Sequence, residues 1–282
     1  MTVLIAAAVC LSLAYLFLLC PRAKRKRGLR AFSCRYYAHR GLHGGNVCEN
    51  TLRAFELGAE SKYGLELDVR LTCDMQPVVF HDDTLERLCG RKERVSTLSY
   101  AELQHILLPD GQRIPHFREV LSLVRGQVPL LVEIKSVKIG DTAVSKAAWA
   151  LLKDYDGEWA VQSFDPLQVR WFRKNTRQRA TGQLAQAWRR EEKGFSIGSL
   201  AHIAAGNLMF NCVSRPGFIA YRWEDIHKLS YRLMRMVFRV PLAVWTVRSK
   251  AEEEKVRGWC DAVIFENYLP ENKEENQNER NA

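Results

Sequence analysis

Two histidines, three carboxylates and two cations stand at or near the ends of short apolar runs in this chain. His39-Arg40-Gly41 closes one run, Glu66-Leu67-Asp68 lies in a second, Phe80-His81-Asp82 follows a third, and Glu133-Ile134-Lys135 ends a fourth. In an extended segment, alternation sends Glu66 and Asp68 to one face and Leu65, Leu67 and Val69 to the other. The same period pairs Glu133 with Lys135 and sets Val132 and Ile134 opposite. Carboxylates bounded by residues that must be buried repel one another and resist ionisation unless a cation lies between them. Oxygen donors alone suit a hard ion, Mg²⁺ or Ca²⁺. Imidazoles move protons near neutral pH, and Arg and Lys neutralise an anion. The set points to metal-assisted hydrolysis of a phosphodiester. A lone Glu-x-Asp reads more simply as a solvated or salt-bridged surface pair, but recurrence at three apolar strand ends favours a site.

A frame that gathers strand ends is needed to bring these residues together. Of the 282 residues, those after the first thirty are about the number in one (β/α)₈ barrel. Strand candidates fall at 36–39, 65–69, 130–135, 159–163, 181–184, 208–213, 241–246 and 261–265. Helical periodicity occupies most stretches between them, including 51–62, 117–125, 142–155 and 222–236. Alternating β and α segments imply a parallel sheet with helices outside. Pro77 to His81 follows a strand across the short polar turn Cys73-Asp74-Met75-Gln76, the signal of a hairpin that returns His81 over Glu66 and Asp68. Residues 82–115 then form a cap, which together with Ser214-Arg215-Pro216-Gly217-Phe218 shapes the pocket. The expected fold is α/β, a (β/α)₈ TIM barrel with a hairpin and cap inserted after strand two, preceded by one transmembrane helix.

The ordered motifs His39-Arg40-Gly41, Glu49-Asn50-Thr51, Glu66-Leu67-Asp68-Val69, Pro77 to Asp82 and Glu133-Ile134-Lys135 resemble those of the glycerophosphodiester phosphodiesterase family. Gln162-Ser163-Phe164-Asp165, Gly182-Gln183-Leu184 and Val244-Trp245-Thr246-Val247 continue the likeness, which runs from residue 36 to about 270 and looks like that of a membrane-anchored, bacterial-type member. The chain departs from the family in Cys48, where Pro is usual, in a first loop about one residue longer, and in Glu266-Asn267 at the last strand. These changes bear on the pocket's mouth and so on substrate choice.

The resemblance implies a hydrolase of glycerophospholipid metabolism that cleaves glycerophosphodiesters to sn-glycerol 3-phosphate and an alcohol. It implies His39 as general base and His81 as general acid, with the reverse assignment open. Glu66, Asp68 and Glu133 would hold the metal, and Arg40 and Lys135 would neutralise the phosphodiester. Three carboxylates, one divalent metal, two side-chain cations and one phosphodiester sum to zero charge. Trp245 resembles the family's apolar platform for the glycerol carbons, and Glu49 and Asn50 would brace the first loop. For Trp245 and Glu49 a purely structural role is an equal alternative. His43, His105, His116, His202 and His227 read as ordinary polar or capping residues. Alternatives in substrate are lysophospholipids in the bilayer, as for a lysophospholipase D, or teichoic-acid-like polymers for an external domain. The alternative in class is a non-catalytic membrane module that binds phosphodiesters, against which both histidines and all three carboxylates argue.

Val3 to Cys20 forms an uncharged stretch of eighteen residues, which as a helix spans roughly 27 Å, close to the hydrocarbon core of a bilayer. A cleaved signal peptide is the other reading, against which stand an n-region without Lys or Arg and the lack of a small-x-small cleavage site. Arg22, Lys24, Arg25, Lys26, Arg27 and Arg30 follow the stretch directly and account for more than half of the net charge of +10. The positive-inside rule places the catalytic domain in the cytoplasm of a single-pass membrane protein, the basic cluster lying against the anionic leaflet. The cluster carries no interleaved aromatics, which speaks against nucleic acid. Eight cysteines without a CxxC pair fit a reducing compartment and not a zinc site. The expected organisation is an anchor at 1–21, a basic linker at 22–35, the barrel at 36–270 and a disordered tail at 271–282.

Overall fold

A computed structural model of the chain describes residues 1–21, 35–176, 180–187 and 200–271. The strands are β1 (Tyr36–Ala38), β2 (Gly64–Leu71), β3 (Pro77–Val79), β4 (Leu130–Ile134), β5 (Trp159–Ser163), β6 (Ala180–Ala185), β7 (Phe218–Arg222), β8 (Leu242–Val247) and β9 (Ala262–Phe265). All except β3 pair in parallel, and β1 bonds both β9 and β2, so eight strands close into a barrel. Each is buried on both faces, which explains why these segments read as nearly continuous apolar runs. Tyr37, Leu131, Phe218, Ala243 and Ile264 fill the interior, while Phe55, Val120, Phe172 and Val256 bring outer helices onto Leu65, Val132, Val161 and Val263. This is a TIM barrel.

β3 is the expected hairpin arm, antiparallel to β2 with Val69 opposite Val79 and Leu71 opposite Pro77. Residues beyond it form the cap, which has a small core of its own in Val78, Phe80, Leu85, Val95, Leu103, Ile106, Leu108 and Ile114.

One expected strand is corrected. The run 208–213 does not join the sheet: Asn211–Ser214 is helical, Leu208 is left-handed at φ 59°, and the strand of that barrel position is β7. Hydrophobicity alone does not separate a short buried helix from a strand. Pro216-Gly217 is the true boundary, and the Gly217 amide donates to the Thr181 carbonyl where β6 and β7 begin. The segment 214–218, expected beside the pocket, therefore lies at the opposite end of the barrel. The helical stretch at 222–236 is also broken, into Trp223–Asp225, Leu229–Leu233 and Met234–Phe238.

At the N-terminus, helix Thr2–Leu19 has a mean hydropathy of 2.5 and is long and apolar enough to cross a membrane, a test that a signal sequence also passes. Its last turn docks on the barrel, with Leu19 buried in the core and Tyr15 packed against it. The basic cluster from Arg22 to Arg30 and the segment 272–282 lie outside the described residues.

Candidate active site

The pocket opens at the C-terminal ends of the barrel strands, where this fold carries its chemistry. The first loop is shaped by backbone conformation. Arg40 and Gly41 are both left-handed, at φ 56° and 81°, and a Cβ at Gly41 would lie 2.8 Å from the Ala54 backbone. The turn leaves the Arg40 amide 3.1 Å from Glu66 Oε2. Asn50, also left-handed, donates its amide N–H to the Arg40 carbonyl and its side-chain Nδ2 to Asp68 Oδ2 at 2.9 Å. Thr51 then caps helix Leu52–Glu60 by accepting from the Ala54 amide. Glu49-Asn50-Thr51 is thus a brace between the first loop and β2.

Parallel register sets Glu133 of β4 beside Asp68 of β2. Glu66, Asp68 and Glu133 are all buried and offer oxygens within 4.8 Å of one another. Burial, and then the charges of Asp68 and Glu133, push Glu66 well above the usual carboxylate range. Burial also raises Glu133, against the pull of Lys135. Burial acts upward on Asp68 too, but Lys135, His81 and Arg40 hold it well below that range. Lys135 Nζ lies 2.7 Å from Glu133 Oε1 and 3.2 Å from Asp68 Oδ1. An all-oxygen, mutually repelling set of this kind fits a hard divalent cation.

Each histidine is oriented by a carboxylate. His39 Nδ1 is 2.7 Å from Glu266 Oε2, at the end of β9. Burial pushes His39 down to about 4, outweighing the upward effect of the Glu266 hydrogen bond. Burial raises Glu266, but its bond and charge contact with His39 bring it to about 2. His81 Nδ1 is 2.7 Å from Asp82 Oδ1, and Arg70 Nε donates to the His81 carbonyl. Arg87, from the cap, donates to Asp82 Oδ2 at 2.6 Å and to Glu49 Oε2 at 2.9 Å; Arg40 donates to Glu49 Oε1 at 2.7 Å. A continuous ionic chain therefore joins Arg40, Glu49, Arg87, Asp82 and His81.

His39, Arg40, Glu66, His81, Glu133, Lys135 and Trp245 all line one pocket of about 510 Å³. Asp68 lies just beneath it, and Glu49 and Asn50 act from outside its wall. Trp245 meets the edge of Phe164 at 5.7 Å between ring centroids, forming an apolar wall opposite the charged one. Sequence reasoning assigned no role to Glu266, Asp82, Arg87, Gln162 or Arg248. Two of them carried a signal: Asp82 directly follows His81, and Glu266 ends a strand as Glu133 nearly does. His43, read as ordinary, lies within 4.8 Å of His39 and Glu266, whereas His116 does cap helix Phe117–Val124.

A TIM barrel with a carboxylate triad, two oriented histidines and two cations at its C-terminal face defines a class, the hydrolytic barrels that act on phosphate esters. The sequence model of the glycerophosphoryl diester phosphodiesterase family matches residues 39–268, and the chain belongs to that family. A glycerophosphodiester phosphodiesterase of Caldanaerobacter subterraneus is 33% identical over 251 residues, covering 80% of this chain and 91% of that protein. A mouse lysophospholipase D is 32% identical over 161 residues, 51% of this chain and 49% of that protein. The solved structure of an Oleispira antarctica phosphodiesterase in complex with the product sn-glycerol-3-phosphate has the same fold, with a TM-score of 0.68 at 20% identity over 83% of this chain and 94% of that one.

Proposed function

We propose that the chain hydrolyses glycerophosphodiesters to sn-glycerol 3-phosphate and an alcohol, with Glu66, Asp68 and Glu133 holding Mg²⁺ or Ca²⁺. The observation that carries this reading is the meeting, in one pocket, of a buried carboxylate triad and two histidines each fixed by its own carboxylate. When bound, the cation supplies positive charge against the phosphoryl oxygens and acidifies a nearby hydroxyl. His39, kept neutral by burial and fixed at Nδ1 by Glu266, turns Nε2 to the pocket as acceptor for the proton of water or of the neighbouring glycerol hydroxyl. His81, held by Asp82, gives a proton to the leaving oxygen. Arg40 and Lys135 neutralise the phosphodiester, and Trp245 with Phe164 packs against the glycerol carbons. Glu49 and Asn50 act through Arg40 and Asp68.

In this reading residues 1–21 anchor the enzyme as a single-pass protein, 22–35 form a basic linker, 36–270 the cytoplasmic catalytic barrel and 271–282 a tail. Similarity to the mouse lysophospholipase D and the apolar N-terminal helix support a second substrate class, lysophospholipids drawn from the bilayer.

A panel of glycerophosphodiesters and lysophospholipids, assayed for glycerol 3-phosphate, tests the function and ranks the classes. Esters with a good leaving group separate the histidine roles. They relieve the loss in His81→Ala, which lacks the acid, and leave the loss in His39→Ala untouched. Turnover of no ester by a folded preparation would reject the enzyme in favour of a binding module.

A further inference from the structure

Six exposed apolar side chains lie on one arc of the catalytic face, while Met75, Leu107 and Leu269 are exposed singly outside it. Val137 and Ile139, 51% and 84% exposed, follow β4, and Leu167 follows β5. Leu200 and Ile203, 82% and 54% exposed, come after β6, and Leu229 comes after β7. β4 to β7 are successive neighbours in the sheet, so these six side chains occupy consecutive sectors of half the rim. A Cβ on Gly140 would lie 2.9 Å from Leu167 Cδ1, which shows how closely the first two sectors abut. Lys138 is exposed between Val137 and Ile139. The opposite half of the rim, first loop and cap, is ionic, with Arg87 on Glu49 and Asp82 and with Arg53 on Glu56. Exposure of so much apolar surface on one side of a site marks it as an interaction surface.

The N-terminal helix identifies what covers it. Helix Leu229–Leu233 starts near the catalytic end of β7, and the chain runs from it down to Pro241 at the foot of β8. Tyr15 approaches Ser230 near the top of that descent. One turn lower, Asn211 Nδ2 bonds both the Leu19 carbonyl, at 3.3 Å, and the Met234 sulfur, at 3.7 Å. Residues 15 to 19 therefore run downward beside 230 to 234, and Phe17 and Cys20 both meet Arg215. Followed the other way, the exposed stretch 2–14 leaves the barrel past its catalytic face, on the side of Leu229. One continuous helix contains both the docked turn and the free apolar stretch, so the barrel's tilt is tied to the direction of the anchor.

We propose that the arc Val137, Ile139, Leu167, Leu200, Ile203 and Leu229 is a lipid-docking surface that seats on the leaflet entered by the N-terminal helix and turns the mouth of the active site toward the bilayer. This rests on the reading of that helix as a membrane anchor. Burying such side chains removes apolar area from water and so stabilises the docked state, and Lys138 adds attraction to anionic headgroups.

The test uses the full chain reconstituted in vesicles of phosphatidylcholine and phosphatidylserine, with Cys10 and Cys73 replaced by Ser. An environment-sensitive dye is attached at Ile139→Cys or Leu200→Cys, with Met236→Cys, exposed at the far end of the barrel, as control. The parent without the added cysteine gives the background, and circular dichroism verifies the fold of each variant. The proposal expects vesicle flotation, with blue-shifted emission at 139 and 200 that is quenched by spin-labelled acyl chains, and a control dye quenched only from water. Flotation with all three dyes in water overturns the docking surface and leaves the anchor standing. Failure to float overturns the anchor and the docking surface together.

Discussion

At the residue scale the proposed chemistry depends on two imidazoles in different settings. As the proposed base, His39 must be unprotonated to accept a proton, and a group pushed down to about 4 is largely unprotonated from about one unit above that value upward. At saturating metal, the acid limb of kcat/KM, where His39 takes up its proton, therefore falls through a midpoint near 4. An acid limb centred near 6.5, the ordinary imidazole value, would show that His39 is not the base or is not buried in the working enzyme. Glu266 orients that ring, so Glu266→Gln should lower kcat by about 10²-fold or more with little change in KM, measured by steady-state kinetics on glycerophosphocholine. Glu266 shows what a sequence hides at this scale. His39, Glu66, Asp68 and Glu133 announce themselves by type and spacing, whereas Glu266 is a partner only because β9 closes on β1, a contact across 227 positions. Its residue type registered merely as a departure from the family pattern.

Elements were legible where apolar alternation is regular and opaque where it is not. The hairpin β2–β3 follows from a polar four-residue turn between two apolar runs, and it returns the chain so that the Phe80 amide meets the Asp68 carbonyl at 3.0 Å. β7 was misplaced because the run 208–213 is as apolar as a strand and Pro216-Gly217 was read as part of the pocket. Gly182 of β6 shows how tightly the elements fit: a Cβ there would lie 2.1 Å from the Phe218 ring of β7 inside the barrel. Gly182→Ala should cost about 1–3 kcal/mol, a drop of several degrees in Tm measurable by calorimetry; an unchanged Tm would mean that the interior has room to spare. The cap is coupled to the barrel through Arg87, which holds both Asp82 and Glu49. Small displacements of a catalytic group can cost about 10²-fold, so Arg87→Ala should lower kcat by up to that factor while circular dichroism stays unchanged. Wild-type rates would instead make the ionic chain a solvated ornament of the surface.

At the scale of the whole molecule, closure of the barrel converts separated motifs into one site. Register between β2 and β4 alone brings Asp68 and Glu133 abreast, and only the wrapped cap brings Arg87 to Glu49 across 38 positions. The motifs were visible in the sequence, but their wiring was not, because salt bridges between distant surface residues leave no periodic trace. The resulting pocket concentrates carboxylates that burial and mutual repulsion leave poised to take up a cation. The most direct measurement is the initial rate of glycerol 3-phosphate release from glycerophosphocholine by the chain stripped with EDTA and then titrated with Mg²⁺ or Ca²⁺, beside Glu66→Gln. The account predicts near-complete loss on stripping, saturable recovery with at least one of the two ions, and weakened or absent recovery in the variant. A rate indifferent to EDTA, or a Glu66→Gln curve that overlays the wild type, would contradict it.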